Sequence, residues 1–71
     1  LLLLRNLAMR MLNKKQLRDK TSLSIQSITR LEKEGKFPRR VKLPPDFTRV
    51  AWIEEEVNDW LYANVQRQRA S

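Results

Sequence analysis

A chain of 71 residues with a single glycine has few places where its backbone can turn at no steric cost. That glycine is Gly35, in Glu34-Gly-Lys-Phe-Pro38, and it separates two stretches of different period. Upstream, Ser24 is placed to cap a helix over residues 25–34, with Ile28 and Leu31 on one side and Gln26, Thr29, Arg30 and Lys33 on the other. Downstream, Arg40-Val-Lys-Leu43 alternates basic and apolar side chains, as a half-buried strand does. Gly35 therefore reads as a helix stop, where a left-handed residue lets the chain leave at a sharp angle. Pro38 follows where the helix must not continue.

The rest of the chain fits around this corner. Asn13 and Gln16 have the spacing of a capping box, opening a short helix over Lys14–Lys20 with Leu17 turned inward. Thr21 and Ser22 break that helix, because their hydroxyls compete for backbone hydrogen bonds, and Leu23 follows as an apolar plug. Pro44-Pro45-Asp46 reads as a turn, and Thr48-Arg-Val-Ala-Trp52 as a returning strand. Val41, Leu43, Val50 and Trp52 are expected to face the core, and Arg40, Lys42 and Arg49 to face away. A last helix runs from Ile53 to Val65 or Gln66, with Val57, Trp60, Leu61 and Asn64 at helical spacing. Glu54, Glu55 and Glu56 fill its first turn, where carboxylates complement the helix dipole, a plainer role than catalysis. The expected class is mostly α with a small β-hairpin. The domain spans residues 12–66, after a loose and dispensable N-terminal extension (1–11) and before a frayed tail (67–71). Phe37, Phe47, Trp52, Trp60 and Tyr62 are the candidate core aromatics.

Composition narrows the chemistry. There is no cysteine and no histidine, which excludes disulfides, thiol nucleophiles, Cys/His zinc sites and catalytic triads. One glycine is too few for a Rossmann fingerprint or a P-loop. No enzyme activity and no cofactor is expected. The opening Leu1–Leu4 run is too short to span a bilayer, so no membrane partner is expected, although Leu1, Leu4, Ala8 and Met11 can share one helix face. Fifteen Lys and Arg against eight Asp and Glu give a net charge of +7, the balance of a small domain that meets a polyanion.

Two short helices joined by a tight turn form a helix-turn-helix, whose second helix commonly enters the DNA major groove. A following basic hairpin makes it winged. On the recognition helix, residues 24–34, Gln26, Ser27, Thr29 and Arg30 are the candidate base contacts, with Gln suited to adenine and Arg to guanine. Ser24, Lys33, Lys36, Arg39, Arg40, Lys42 and Arg49 are the candidate contacts to phosphate or the minor groove.

Five segments together resemble the AlpA family of prophage-type regulators, itself similar to MerR-like winged-helix excisionases. They are Leu23-Ser-Ile-Gln-Ser-Ile-Thr-Arg-Leu31, Glu34-Gly-Lys-Phe-Pro38, Val41-Lys-Leu43, Val50-Ala-Trp52 and Glu55-Glu-Val-Asn-Asp-Trp-Leu61. The resemblance covers about residues 12–65. It implies a winged helix-turn-helix that binds specific double-stranded DNA of a mobile element, in the bacterial cytoplasm at the nucleoid. Either transcription regulation or an architectural role in excision follows from it, with a neighbouring copy or an integrase as partner on DNA. The family usually has glycine where this chain has Ser22 and in the wing turn, and often arginine and an aromatic at Ile25 and Thr29. The sequence leaves two other classes open. One is a basic module docking an acidic regulatory protein; the other is RNA binding, which lacks an evident stacking platform. Without a sustained heptad after Ile53, the chain is expected to be a monomer in free solution.

Overall fold

A computed structural model describes residues 10–70. In chain order these form β1 (Met11–Leu12), α1 (Lys14–Thr21), α2 (Ile25–Lys33), β2 (Val41–Leu43), β3 (Arg49–Ile53) and α3 (Glu54–Ala70). The arrangement is the expected winged helix-turn-helix, mostly helical with a small antiparallel sheet.

Local chemistry sets the helix ends. Gln16 donates its backbone N–H to Asn13 Oδ1 at 2.8 Å, and Asn13 returns one to Gln16 Oε1 at 2.9 Å, completing the capping box of α1. At its other end Ser22 adopts the left-handed conformation, φ 61°, and donates its N–H to Arg18 O at 2.7 Å. Ser24 Oγ accepts the Ser27 N–H at 3.1 Å and starts α2. Gly35, φ 72°, ends it: Lys36 N–H reaches Leu31 O at 2.8 Å and Gly35 N–H reaches Glu32 O at 3.0 Å. This pair of bonds is a Schellman motif. A Cβ at Gly35 would meet nothing within 4 Å, so the requirement for glycine is the backbone angle and not space.

The sheet differs from the two-stranded hairpin expected from sequence. It has three strands in the order β1-β3-β2. Met11 pairs with Ile53 and Leu12 with Trp52, so Met11, expected in the loose extension, belongs to the sheet. Arg10 O also accepts the Glu54 N–H at 2.9 Å, meeting one of the unpaired donors at the start of α3. Leu1, Leu4 and Ala8 lie outside the described residues. At the other end α3 continues through Ala70, beyond the expected stop at Gln66.

Register corrects the assignment of faces. Val41 pairs with Ala51, Lys42 with Val50 and Leu43 with Arg49. Directly opposed residues share a face, so Val50 and Trp52, which pack in the core, lie on the face of Lys42, itself exposed further along the hairpin, while Val41 and Leu43 lie on the other face with Arg49. The core itself is Leu12, Leu17, Ile28, Phe37, Trp52 and Val57, with Leu23, Ile25, Leu31, Val50, Trp60 and Leu61 packed against it. Phe47 and Tyr62, expected among the core aromatics, are instead 56% and 69% exposed.

Candidate nucleic-acid interface

The outer surface of α2 is polar for a simple reason. Ile28 is fully buried and Ile25 and Leu31 pack on the core, which turns Gln26, Arg30 and Lys33 to solvent along one ridge at i, i+4 and i+7. None of these three side chains is hydrogen bonded to, or in an ion pair with, a described residue. Ser24 and Ser27 are differently placed. Ser24 Oγ caps the helix and its hydroxyl meets Ser27 Oγ at 3.1 Å, so both hydroxyls already have local partners.

The join between α2 and the wing turns on Glu32, a residue not singled out from sequence. Its Oε1 accepts Arg40 Nε at 2.9 Å and Nη2 at 2.7 Å. Its Oε2 accepts the Arg40 backbone N–H at 2.9 Å and the Trp52 indole N–H at 3.0 Å. Arg40 Nη2 also reaches Thr29 Oγ1 at 3.0 Å, and its guanidinium carbon lies 5.0 Å from the Trp52 ring centroid. One carboxylate thereby ties a helix, the entry to β2 and the core tryptophan of β3. Burial pushes the Glu32 carboxyl up, but the hydrogen bonds from the Arg40 side chain, Trp52 and the Arg40 backbone, with the Arg40 charge, outweigh it and hold the group below its ordinary value. The signal in the sequence was faint: Glu32 lies one turn after the buried Ile28, so an acid falls on the inward flank of the helix and needs a partner, but nothing local says which.

Arg40 is therefore half-buried and engaged, not facing away with Lys42 and Arg49. Thr29, Lys33, Arg39 and Arg40 come together with Glu32 around one open groove between α2 and the start of β2. Lys33 and Arg39 are the exposed cations of that groove. Lys42 and Arg49 lie further along the hairpin and are exposed. Lys36 pairs loosely with Glu34 at 3.6 Å. Its carbonyl accepts the Trp60 indole N–H at 2.6 Å, and Trp60 also meets Phe37 edge-on at 4.7 Å. Trp60 is thus half-buried and fixes the corner after Gly35 from the α3 side. A further ion pair, Lys20 to Glu54 at 3.6 Å, ties α1 to the first turn of α3.

At the wing tip, Thr48 donates its hydroxyl at 2.9 Å and its N–H at 3.2 Å to Asp46 Oδ1. These two bonds hold the Asp46 carboxyl below its ordinary value. Phe47, beside them, has φ 59°.

Among the described residues no cluster could hold a metal ion, and no helix is long and apolar enough to cross a membrane. The family described as prophage CP4-57 regulatory protein (AlpA) matches residues 10–65, from the start of β1 well into α3. No curated protein and no solved structure matches. The chain belongs to the AlpA family of prophage regulatory proteins, a family of DNA-binding, helix-turn-helix transcription regulators.

Proposed function

We propose that this AlpA-family chain binds specific sites on double-stranded DNA, with α2 in the major groove and the wing on the backbone or in the minor groove. The observation that carries this reading is the ridge of Gln26, Arg30 and Lys33 on a helix held rigidly from behind. A polyanion is the partner that a net charge of +7 favours. Gln26 and Arg30 are the residues assigned to read bases, Gln26 as an adenine contact and Arg30 as a guanine contact. Thr29 and Ser27 border that surface with hydroxyls already hydrogen bonded, and Ser24 lies at the helix start, where backbone N–H groups favour a phosphate. Lys33, Lys36, Arg39, Lys42 and Arg49 are assigned to phosphates. Arg40 is assigned a different part: its Nε and Nη2 are occupied by Glu32 and Thr29, and it sets the angle between α2 and the wing.

The site of action in this reading is the bacterial nucleoid, and the output is transcription regulation of a mobile element. An excisionase-type architectural role is the second reading, favoured by a wing whose tip is apolar and exposed. The chain acts as a monomer in solution and meets a second copy or an integrase only on DNA.

A gel-shift titration against DNA upstream of its own gene neighbourhood, at two salt concentrations, tests the proposal. Gln26→Ala and Arg30→Ala should lower discrimination between selected and random duplexes by about 1–3 kcal/mol each. Lys42→Ala and Arg49→Ala should weaken binding to both alike and reduce the salt slope by about one unit each. Equal losses on both kinds of DNA for all four variants would defeat the assignment.

A further inference from the structure

Phe47 is where the wing departs from what folding alone would select. Its φ of 59° lies in the left-handed region, which glycine enters freely and a bulky aromatic does not. Burial does not compensate, because the ring is 56% exposed. The ring is not carried on a slack loop either. Thr48 donates twice to Asp46 Oδ1, and Pro44 and Pro45 stiffen the approach. An ordered turn thus holds an apolar ring outward at the tip of a basic hairpin.

The flanking charges show what such a tip fits. Because Lys42 pairs with Val50 and Leu43 with Arg49, Lys42 and Arg49 project from opposite faces of the hairpin. Both are exposed, and neither is in an ion pair with a described residue. The DNA minor groove presents the matching arrangement: a phosphate strand on each side and stacked base edges at the floor. A protein target with an apolar pocket would fit the ring but gives no reason for a cation on each face.

We propose that Phe47 is a wedge that inserts between base pairs from the minor groove and kinks the duplex, with Lys42 and Arg49 on the two bordering phosphate strands. This rests on the DNA-binding reading above and adds to it a mechanism of bending. Apolar wedges kink DNA toward the major groove by partly unstacking one step. Pyrimidine–purine steps unstack most readily, so the wedge also makes the wing a reader of flexible steps without any hydrogen bond to a base.

The test uses the full chain and duplexes that it selects from a random-sequence pool. End-to-end energy transfer reports bending, and permanganate reactivity reports unstacked thymines. The wild-type chain should bend the selected duplexes and expose a thymine at a pyrimidine–purine step. Phe47→Asn, whose residue tolerates the left-handed backbone, should remain folded, bind on the order of tenfold more weakly and lose both signals. Phe47→Leu keeps an apolar wedge and should retain most of the bend. Bending and reactivity undiminished in Phe47→Asn, or binding by the wild-type chain without any bend, overturns the wedge while leaving DNA binding intact. An undiminished Phe47→Asn would point to a protein as the partner of this ring. Failure of the wild-type chain to bind any duplex at low salt overturns the DNA-binding reading and the wedge with it.

Discussion

At the base of the wing, Arg40 and Trp52 share the carboxylate of Glu32, and Leu12 lies opposite Trp52 in the sheet. At its tip, a few residues along the same hairpin, Pro44, Pro45, Asp46 and Phe47 are all exposed, and the hydrogen bonds of the turn are those of Thr48 to Asp46. The base is satisfied by its own domain; the tip is ordered but unsatisfied. A stretch that gains stability from every contact is built to stay in one place. A stretch that holds an apolar ring in an unfavourable backbone region gains nothing from it in the free protein. The difference teaches that one hairpin can divide its residues between holding the reading helix and meeting a ligand.

The comparison breaks most visibly at Trp52, which is fully buried. Trp52→Ala should cost about 3–5 kcal/mol, much of what a domain this small has, read as a fall in the denaturation midpoint. A cost below about 1 kcal/mol would mean that the base is no better anchored than the tip.

Glu32→Gln comes next, at about 2 kcal/mol, since it removes charge-assisted bonds from Arg40 and leaves the indole partner weakened. It also carries a pH signature. The carboxyl is held below its ordinary value of 4.5 in the folded state, so its contribution is complete above that value. It is lost as pH falls from there through the lowered value. The wild-type chain should therefore lose stability across that acid window more steeply than Glu32→Gln, and parallel acid curves would refute the role given to the carboxylate.

The smallest effects set two left-handed residues against each other. Gly35→Ala should destabilise by about 1 kcal/mol, because an L-residue must take a positive φ in the Schellman turn. Phe47→Gly should do the reverse and stabilise by roughly 0.5–1 kcal/mol. Chemical denaturation of the pair decides: changes of the same sign would show that strain at the wing tip has been misjudged.

Much of this architecture was legible because it is written locally. Asn13 with Gln16, Ser24 at the start of its helix, and the stop at Gly35, where Gly35 and Lys36 donate to the carbonyls of Glu32 and Leu31, are all settled within five residues of chain, and each formed as expected. The exposed ridge of Gln26, Arg30 and Lys33 was legible for the same reason, since the buried Ile28 fixes the opposite face. What escaped depends on partners far away in sequence. Met11-Leu12 is too short to show a period, and its partners are Trp52 and Ile53. The face assignment of Val41 and Leu43 failed on parity: residues 44–48 bring Leu43 opposite Arg49, and one residue fewer would have reversed every side chain of the strand. Glu32 was unreadable because its partners, Arg40 and Trp52, are eight and twenty residues on. Phe47 was misplaced because an aromatic in a small chain is ordinarily core, and only the turn geometry shows otherwise.

The two-residue strand β1 has a consequence for the order in which the domain assembles and comes apart. The helix pair and the hairpin each close over short stretches of chain, so they form at little entropic cost. Pairing Met11 with Ile53 instead closes a loop of roughly forty residues and belongs late in folding. It fastens the start of the domain to the first turn of its last helix, through the bond from Glu54 N–H to Arg10 O. A clasp so short and so late is the natural point for the first opening of the native state. Amide exchange at Glu54 should accordingly run faster than at Ala51, in the middle of the sheet, and a protease trapping transiently opened molecules should find its earliest cut on the N-terminal side of Asn13.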